Sequence, residues 1–448
     1  MSTLTRKRFL ASAAAVTAST VLVGDTAFAA KARTIAIQTP TTINYWYSGG
    51  GDALRIAHQV VDAFNKTHKT THVQLTTITA GGGGGISTNQ KLLAAITAGA
   101  PPDAAYIDRP TMSVPWGVQG ALTPLDTYIE KDGLKADSYL AAAWNASVFN
   151  GHVYALPMEA DPGGLLWWNK DLFEKAGLNP DQPPLYTDAL DTYAARLTQK
   201  GSGGKYKVLG FIPWAFQGYM YGWGWAWGGS FWDAARKSVT CDNPQNAAAL
   251  TWQNTYAKTY DITKIDAYTQ TFYTTQDPFA LGQMAMIIDG VWRPATMKLY
   301  GPKVRYGVSY QPYPRHGGHK AMYLVGEAIA IPHGAKNADR AWEFIKWLSS
   351  GTGITQWCAG NGYLPAYKPA LANPLFAQTD VQKTIRGIMD KYAEPIPSCP
   401  AANQYWDALT TAVDKVTHGK STPQQALAEA QQTTQQAVDQ FLMHYPGH

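Results

Sequence analysis

Long hydrophobic runs are scarce in this chain of 448 residues. One run, at residues 9–23, is rich in alanine and shorter than the roughly 20 strongly apolar residues of a membrane-spanning helix. Basic residues 6–8 precede it and Ala27-Phe28-Ala29 follows it, which predicts a cleaved export signal over residues 1–29. The stretch TRKRFL is similar to a twin-arginine export pattern, with Lys7 in place of the second arginine. We therefore expect a protein of the periplasm or the cell surface.

Cysteines are few as well: the chain has three, Cys241, Cys358 and Cys399. Their wide spacing does not predict a zinc site. Export would allow a disulfide, and the odd number leaves one thiol unpaired. We expect the pair Cys358–Cys399, because both residues lie in the C-terminal region. The alternative is three unpaired, buried thiols.

Charge is sparse and nearly balanced. Charged residues make up 15% of the chain, and the net charge is +5. Without residues 1–29, which carry Arg6, Lys7, Arg8 and Asp25, about +3 remains. This charge is dispersed, whereas a nucleic-acid-binding protein has a clustered basic face. We therefore expect no nucleic-acid partner.

Two motifs of enzymes and nucleotide-binding proteins are absent. The chain lacks the Gly-x-Ser-x-Gly elbow of serine hydrolases. The glycines at 81–85 are not followed by the Gly-Lys-Ser/Thr of a phosphate loop, so we interpret them as a flexible loop. His316 and His319 in PRHGGH are close, but the pattern is typical of a turn between strands rather than of a metal site. We expect no cofactor and no metal.

What the sequence does contain is an alternation of helix and strand patterns. ALRIAHQVVDAFNKTH has apolar residues at helical spacing, and THVQLTTIT is typical of a strand. NQKLLAAITAG predicts a second helix that ends at Gly99, where a left-handed residue is expected, and PPDAAYID a further strand. Strands that alternate with helices of this length predict a parallel sheet covered by helices.

The same alternation returns later in the chain. KDLFEKAGL, YTDALDTYAARLTQKG and NADRAWEFIKWLSS predict helices, and KVLGFIPW predicts a strand. Two amphipathic helices end the chain, the second with Thr422 as its cap and Pro423 in its first turn. With no internal repeat and no disordered linker, two α/β lobes fit better than a string of domains.

Aromatic residues are abundant, at 12% of the chain, and they are concentrated in FQGYMYGWGWAWGGSFW. Tyr219, Tyr221, Trp223, Trp225 and Trp227 occupy every second position there. In a strand all five would share one face; in a helix they would spread around it and only some could reach a ligand. Aromatic planes of this kind pack against the C–H faces of sugar rings. The alternative is that each tryptophan is a packing residue of the core.

Four stretches, in this order, resemble the extracellular solute-binding proteins of sugar ABC importers. They are KLLAAITAGAPPDAAYIDRP, NGHVYALPMEADPGGLLWWNKDLFEKAGL, FALGQMAMIIDGVW, and AWEFIKWLSS with the downstream NGYLPAY. The third matches Phe-x-x-Gly-x-x-Ala-Met-x-x-x-Gly-x-Trp almost position for position. Each motif alone is weak, but together with the export signal they cover nearly the whole mature chain.

The resemblance implies the α/β, two-lobed periplasmic-binding-protein fold of type II, with a hinge between the lobes and a ligand cleft between them. We expect the lobes to be lobe 1, residues 30–157 and 326–355, and lobe 2, residues 158–325 and 356–448. The expected crossovers between the lobes are residues 156–159, 325–327 and 351–357.

By the same resemblance, aromatic side chains line the cleft. The candidates are Trp292, which closes the Gly-x-Trp motif, then Trp223, Trp225 and Trp227, with Trp214 and Tyr219 behind them, Trp406 in NQYWDAL, and Trp46 or Tyr47 at the rim. Each of these has the alternative of simple packing.

Polar groups would hold the hydroxyls of a sugar. Asp108 and Arg109, after the strand DAAYI, and Glu159, after YALPM, match ligand-binding positions of the family; an ordinary ion pair is the alternative for the first two. Weaker candidates are Asp161, Asp52 and Asn89.

The function implied is that of a receptor, not an enzyme. It would close on an oligosaccharide through its hinge and deliver it, as a monomer, to a membrane permease.

Two rival functions stay open. A secreted glycosidase would need two carboxylates at a set separation, which Glu159, Asp108 or Asp161 could supply. A binder of iron, polyamines or glycerol phosphates would share the fold, and a phosphorylated ligand would need arginines or backbone N–H groups at a helix N-terminus.

Overall fold

The computed structural model describes residues 39–49, 51–78, 85–270 and 277–446. The predicted export signal at residues 1–29 and most of the glycine run lie outside these ranges. The strands within them are β1 Thr41–Tyr47, β2 Thr71–Thr77, β3 Ala104–Asp108, β4 Val148–Phe149, β5 His152–Val153, β6 Leu156–Pro157, β7 Glu159–Pro162, β8 Leu165–Asn169, β9 Gln199–Lys200, β10 Tyr206–Val208, β11 Trp232–Asp233, β12 Ser238–Val239, β13 Met286–Asp289, β14 Tyr306–Tyr310, β15 Met322–Val325, β16 Glu327–Ala330, β17 Leu364–Pro365 and β18 Ala393–Pro395.

Helices cover these strands. Within the described ranges they are α1 Gly51–Thr67, α2 Gly85–Thr97, α3 Pro110–Ser113, α4 Asp126–Asp132, α5 Ala141–Ala146, α6 Lys170–Lys175, α7 Thr187–Leu197, α8 Met220–Ala226, α9 Pro244–Tyr260, α10 Ile262–Thr269, α11 Arg293–Tyr300, α12 Ala338–Ser350, α13 Thr352–Asn361, α14 Lys368–Leu371, α15 Asp380–Tyr392, α16 Ala402–Thr417 and α17 Pro423–His444. No described helix is long and apolar enough to cross a membrane.

Three sheets organise the fold. The first has the strand order β2-β1-β3-β16-β6, with β1 parallel to β2 and β3 and with β16 antiparallel to its neighbours. The second, β13-β8-β14, is antiparallel. The third sheet has the strand order β17-β7-β15-β18. Two of its strands connect the other two sheets along the chain. Strand β7 follows β6 of the first sheet and precedes β8 of the second, and β15 follows β14 of the second sheet and precedes β16 of the first.

The passage between the first and third sheets is made by two paired strands. The Met158 N–H, between β6 and β7, donates to the Glu327 carbonyl at 2.9 Å. On the partner strand Gly326 separates β15 from β16, and a Cβ there would lie 2.2 Å from the Glu159 carbonyl oxygen. The two backbones therefore run too close for any side chain at residue 326.

These sheets form the predicted α/β arrangement of two lobes. The first lobe is built on the five-stranded sheet and the second on the three-stranded sheet, with the paired strands as the connection. The lobe boundary expected at residue 355 falls inside α13, which packs against α1 and α12 of the first lobe.

Local sequence signals explain several elements. In α1 the side chains of Ile56, Ala57, Val60, Val61 and Phe64 form one buried stripe, as the helical spacing predicted. Gly99 has a φ of 71° just after α2, which confirms the expected left-handed residue. Thr422 caps α17 in a capping box with Gln425, and Pro423 stands in the first turn.

The glycine-rich aromatic segment forms a helix, α8, rather than a strand. Gly224 is required there, because a Cβ would lie 2.3 Å from the Asn246 side-chain oxygen and 2.4 Å from the Phe231 ring. A Cβ on Gly222 would likewise lie 2.7 Å from the Gln311 side-chain oxygen. The alternating aromatics therefore spread around the helix, and the glycines let its backbone approach neighbouring side chains closely.

The expected disulfide is wrong: all three cysteines are free and buried. Cys358 lies in α13, in the hydrophobic cluster that contains the first sheet. Cys399 belongs to a different cluster, in the second lobe, together with Cys241. Closeness in sequence to the C-terminus did not bring Cys358 and Cys399 together, because their side chains pack in different hydrophobic clusters.

The close approach of the two connecting strands at Gly326 can be tested by substitution. Replacing Gly326 with alanine forces a Cβ against the Glu159 carbonyl, and overpacking of this kind costs about 1–3 kcal/mol. We expect a lower free energy of unfolding in urea, followed by circular dichroism.

Gly387→Ala is the matched control. Gly387 is exposed within α15 and nothing lies within 4 Å of an added Cβ, so alanine should stabilise the helix by up to about 1 kcal/mol. Equal effects of the two changes would contradict the close approach of the strands.

Candidate functional site

The end of strand β3 places two predicted residues between the lobes. Asp108 is the last residue of β3 and Arg109 follows it with a left-handed φ of 51°. Non-glycine residues seldom adopt that conformation, and it is concentrated at functional positions. Asn89 supports the turn, because its side-chain N–H groups donate to the Asp108 carbonyl and to Ser113 Oγ, both at 2.8 Å.

Arg109 reaches across to the second lobe. Its guanidinium carbon lies 4.8 Å from the centre of the Trp406 ring, and Nη2 donates to Tyr219 Oη at 3.3 Å. The Tyr219 and Trp406 rings meet edge to face at 4.4 Å. A cation over an aromatic face is attracted by the ring quadrupole, so this contact draws the two lobes together at the cleft.

A cavity of about 390 Å³ opens beside this contact in the second lobe. One part of its wall is aromatic and includes Trp214, Tyr219, Tyr221 and Trp406; another part is polar and includes Asp266, Thr410, Asp414 and His418. His418 Nε2 lies 2.9 Å from Asp266. A few polar groups set into an aromatic wall are what a site for a small polar solute requires.

A second cavity, of about 650 Å³, is lined by both lobes. Asp52 and Arg55 of α1 face it from the first lobe, and Pro294 and Lys298 of α11 from the second. Trp292 immediately precedes α11 and is partly buried; its ring lies 6.0 Å from that of Tyr363, which lines the cavity.

Three carboxyl groups meet on the strands that connect the lobes. Glu159 and Asp161 of β7 are buried, at 0% and 2% exposure, and Glu327 begins β16. Glu159 and Glu327 hydrogen-bond to each other. Glu159 also accepts from the Trp357 indole N–H and, at 3.5 Å, from the Tyr106 hydroxyl.

Burial dominates the electrostatics of this cluster. It raises the pKa of Glu159 to about 7, with the charge of Asp161 adding to the rise. Burial also raises the pKa of Asp161 and of Glu327 well above the ordinary range, each aided by a neighbouring carboxylate. These groups therefore hold protons at pH values where exposed carboxyls are fully ionised.

Arg109 is the counter-charge of the cluster. Burial alone lowers the pKa of Arg109, but Asp108, Tyr219 and Glu327 outweigh burial and the pKa is raised. In return Arg109 lowers the pKa of Asp161 and Glu327, though less than burial raises it. The guanidinium stays charged and offsets part of the negative charge of the carboxyl cluster.

The predicted aromatic residues separate into two groups. Tyr219, Trp214 and Trp406 line the first cavity, and Trp292 adjoins the second. Trp223 was expected at the ligand but is fully buried, with its indole N–H donating to the Pro213 carbonyl at 2.8 Å, so it has a packing role.

Trp225 and Trp227 also lie away from both cavities. Trp225 packs against Tyr221 and Phe231, and Trp227 packs against Trp252. The helical form of α8 is the reason, because it points these rings in directions different from Tyr219.

The remaining candidates have structural partners. Trp46 lies on β1 but packs into a hydrophobic cluster behind the first sheet. Tyr47 is buried, with its ring 5.3 Å from Trp357, beside the carboxyl cluster. Asp52 pairs with Arg55 at 2.7 Å on an exposed turn of α1.

Glu327 was missed as a site residue, although the expected crossover contained it. Its signal was present in the sequence: it is the one charged residue in the apolar run YLVGEAIAIP. A charge amid residues destined for burial is rare unless it is paired or functional. Tyr363, in NGYLPAY, was missed as well, for lack of any charge or motif that singled it out.

No group of three or more His, Cys, Asp or Glu side chains in the described ranges is arranged to hold a metal ion. His316 and His319 lie in and after the turn between β14 and β15, where the turn pattern had predicted them.

Two α/β lobes joined by paired strands, with one cavity lined by both lobes and with Arg109 of the first lobe in contact with Tyr219 and Trp406 of the second, define a solute-binding protein. The sequence profile of the bacterial extracellular solute-binding proteins matches residues 28–351, and the chain belongs to that family. Members of this family bind substrates rather than convert them.

Among curated relatives, the maltotriose-binding protein of Pyrococcus abyssi is 25% identical over 66% of this chain and 62% of its own length. The sn-glycerol-3-phosphate-binding periplasmic protein UgpB of Pectobacterium atrosepticum is 24% identical over 88% of this chain and 90% of its own.

Solved structures agree on the fold. CpMnBP1, solved with mannotriose bound, superimposes with a TM-score of 0.79 at 28% identity, covering 88% of this chain and 99% of its own. A Listeria monocytogenes binding protein in complex with cycloalternan gives a TM-score of 0.75 at 22% identity, with coverage of 89% and 99%. The predicted family and two-lobed fold are thereby confirmed.

The carboxyl cluster predicts how stability depends on pH. Folding raises the pKa of Glu159 from 4.5 to about 7, so the native state binds the proton more tightly than the unfolded chain does. The free energy of unfolding should therefore fall as the pH rises from about 4.5 to about 7, by about 3 kcal/mol for this group. In Glu159→Gln the fall should be smaller.

Urea unfolding at intervals between pH 4.5 and 8 measures this slope. Glu130→Gln is the control, since Glu130 is an exposed glutamate of α4, and it should follow the parent protein. The pKa of His418, raised chiefly by its hydrogen bond to Asp266, adds to the slope equally in all three proteins. If the free energy of unfolding falls equally with pH in the parent protein and in Glu159→Gln, the raised pKa of Glu159 is contradicted.

Proposed function

We propose that this chain is the extracytoplasmic receptor of a carbohydrate ABC importer. It binds an oligosaccharide in the cleft between its lobes and delivers it to a membrane permease. The observation that carries the proposal is the contact of Arg109, at the end of a lobe 1 strand, with Tyr219 and Trp406, beside a cavity whose wall is partly aromatic. Aromatic faces suit the C–H faces of sugar rings, and carboxyl and guanidinium groups suit their hydroxyls.

The similar proteins support a carbohydrate as the ligand. The maltotriose-binding protein of Pyrococcus abyssi and the mannotriose-bound CpMnBP1 are two of the similar proteins whose names or ligands are carbohydrates. An ABC transporter extracellular-binding protein of Pyrococcus horikoshii, 22% identical over 86% of this chain, supports the link to an importer.

Ligand binding would act by closing the hinge. In this proposal residues 30–157 and 326–355 form lobe 1, and residues 158–325 and 356–448 form lobe 2. The packing of α13 against α1 and α12 favours a boundary at the end of α13, residue 361, in place of residue 355. The closed form is favoured because only there does the ligand contact both lobes. The receptor acts as an exported monomer, its signal at residues 1–29 removed.

A glycosidase is disfavoured by the carboxyl geometry. The carboxyl groups of Glu159 and Glu327 are hydrogen-bonded to each other. A retaining glycosidase separates its pair by about 5–5.5 Å, and an inverting one by about 6.5–9.5 Å. We therefore propose a binding protein without hydrolytic activity, and no release of reducing sugar from mannotriose is expected.

A second candidate ligand is a phosphorylated polyol. The relative that binds sn-glycerol 3-phosphate covers more of this chain than the maltotriose-binding one. The cluster of carboxyls at the centre of the cleft argues against an anion there.

Two tryptophans test the function. Trp406→Ala and Trp292→Ala should each weaken binding of mannotriose or maltotriose by about tenfold or more, since Trp406 lines the first cavity and the Trp292 ring contacts Tyr363, which lines the second. Titration calorimetry measures the affinities, and thermal unfolding checks that each variant is folded.

Trp232→Ala is the matched control, because Trp232 is a partly buried tryptophan of β11 that lines neither cavity. It should leave the affinity unchanged. If the parent protein binds neither sugar, or if all three variants bind as tightly as the parent, the proposal is wrong.

A further inference from the structure

The first cavity, of about 390 Å³, extends along helix α16. Four of its lining residues stand four positions apart, one on each successive turn of the helix: Trp406, Thr410, Asp414 and His418. Residues at this spacing share one face of a helix. Since an α-helix rises about 1.5 Å per residue, the wall from the first of them to the last is about 18 Å long. The cavity is therefore an elongated groove.

The two ends of this groove differ in chemistry. At one end the Trp406 ring faces Arg109 of the first lobe, 4.8 Å from the guanidinium carbon. At the other end His418 Nε2 lies 2.9 Å from Asp266 of α10, and Nδ1 lies 3.0 Å from Asp414. The side chains of His418 and Asp266 are 28% and 39% exposed, so their polar atoms are within reach of a solute.

The wall between the two ends carries both apolar and polar groups. Leu409 and Val413 contribute apolar surface, and Thr410 and Thr417 contribute hydroxyls. Each hydroxyl donates within the helix, to the carbonyls of Trp406 and Val413, both at 2.9 Å. A hydroxyl that donates keeps lone pairs that can accept. The wall therefore offers acceptors for the hydroxyls of a sugar chain and apolar contact for its C–H groups.

We propose that this groove binds at least three consecutive sugar units, the first at Trp406 and the third at Asp266, Asp414 and His418. This inference rests on the proposed function, which it deepens by setting the length of the ligand and by assigning residues that determine specificity for that length.

The length follows from the dimensions of the helix. A hexose unit is about as long as one helical turn, about 5.4 Å. A disaccharide that begins at Trp406 therefore ends near Thr410, whereas a trisaccharide reaches the polar end of the groove. There the carboxylates accept from hydroxyls of the third unit, and hydrogen bonds of this kind to charged groups are stronger than those between neutral groups.

Calorimetric titration of the parent protein with two sugar series tests the length: mannobiose and mannotriose, and maltose and maltotriose. In the series that the protein recognises, the trisaccharide should bind at least tenfold more tightly than the disaccharide, because only the trisaccharide reaches Asp266 and His418.

Asp266→Ala and His418→Ala test the residues at the polar end. Each should weaken binding of the trisaccharide by about tenfold and leave binding of the disaccharide unchanged. If the pair merely ties α10 to α16, its loss would lower the temperature of thermal unfolding and leave the preference for the trisaccharide intact.

Glu429→Ala is the matched control. Glu429 pairs with Lys415 of α16 at 2.6 Å, and neither residue lines this groove, so the affinities for both sugars should stay as in the parent protein. Equal affinities of the parent for di- and trisaccharide, or an unchanged preference in both Asp266→Ala and His418→Ala, would overturn the inference and leave the proposed function standing. A parent protein that binds neither series would overturn both.

Discussion

Glu159 and Glu327 lie side by side on the two strands that run between the lobes, and their carboxyl groups share a hydrogen bond. Charged groups leave water at high cost, so such a pair persists only where protons and donors offset the charge. Here Trp357 and Tyr106 supply donors to Glu159, and Arg109 supplies positive charge. The donors and the positive charge around Glu159 and Glu327 are therefore what allow the two carboxyl groups to be buried.

Steric closeness fixes the pair in place. Gly326 immediately precedes Glu327. Because Gly326 has no side chain, its backbone can lie against the Glu159 carbonyl of β7. The same strands carry the chain from one lobe to the other. The site's acidic centre and the connection between the lobes are therefore built from the same few residues.

Some aromatic residues lie at the candidate site and others pack in the second lobe, and the amino-acid composition does not distinguish the two groups. Tyr219 and Trp406 stand at the cleft and face Arg109. Trp223 and Trp227 join Trp252 in the interior of the second lobe. The interior set holds α8 rigid, and a rigid helix presents Tyr219 at its start in one orientation, which is what a preorganised binding surface needs.

Much of the fold was predictable from the sequence, because its signals are local. Periodicity identified α1 and α12, and a cap residue with proline located the start of α17. Order and spacing of family motifs predicted two lobes and directed attention to Asp108, Arg109 and Glu159. These signals depend on neighbours within a few turns of the chain, which is the range over which sequence patterns act.

Only the tertiary structure decided the rest. Alternation in the aromatic segment suited a strand as well as a helix; the structure has a helix whose glycines lie against side chains as distant in sequence as Asn246 and Gln311. The separation of Cys358 from Cys399 and the meeting of Glu159 with Glu327 likewise depend on where the chain crosses between lobes. Sequence patterns determined the elements and the family; long-range packing and the cost of burying charge decided which side chains meet.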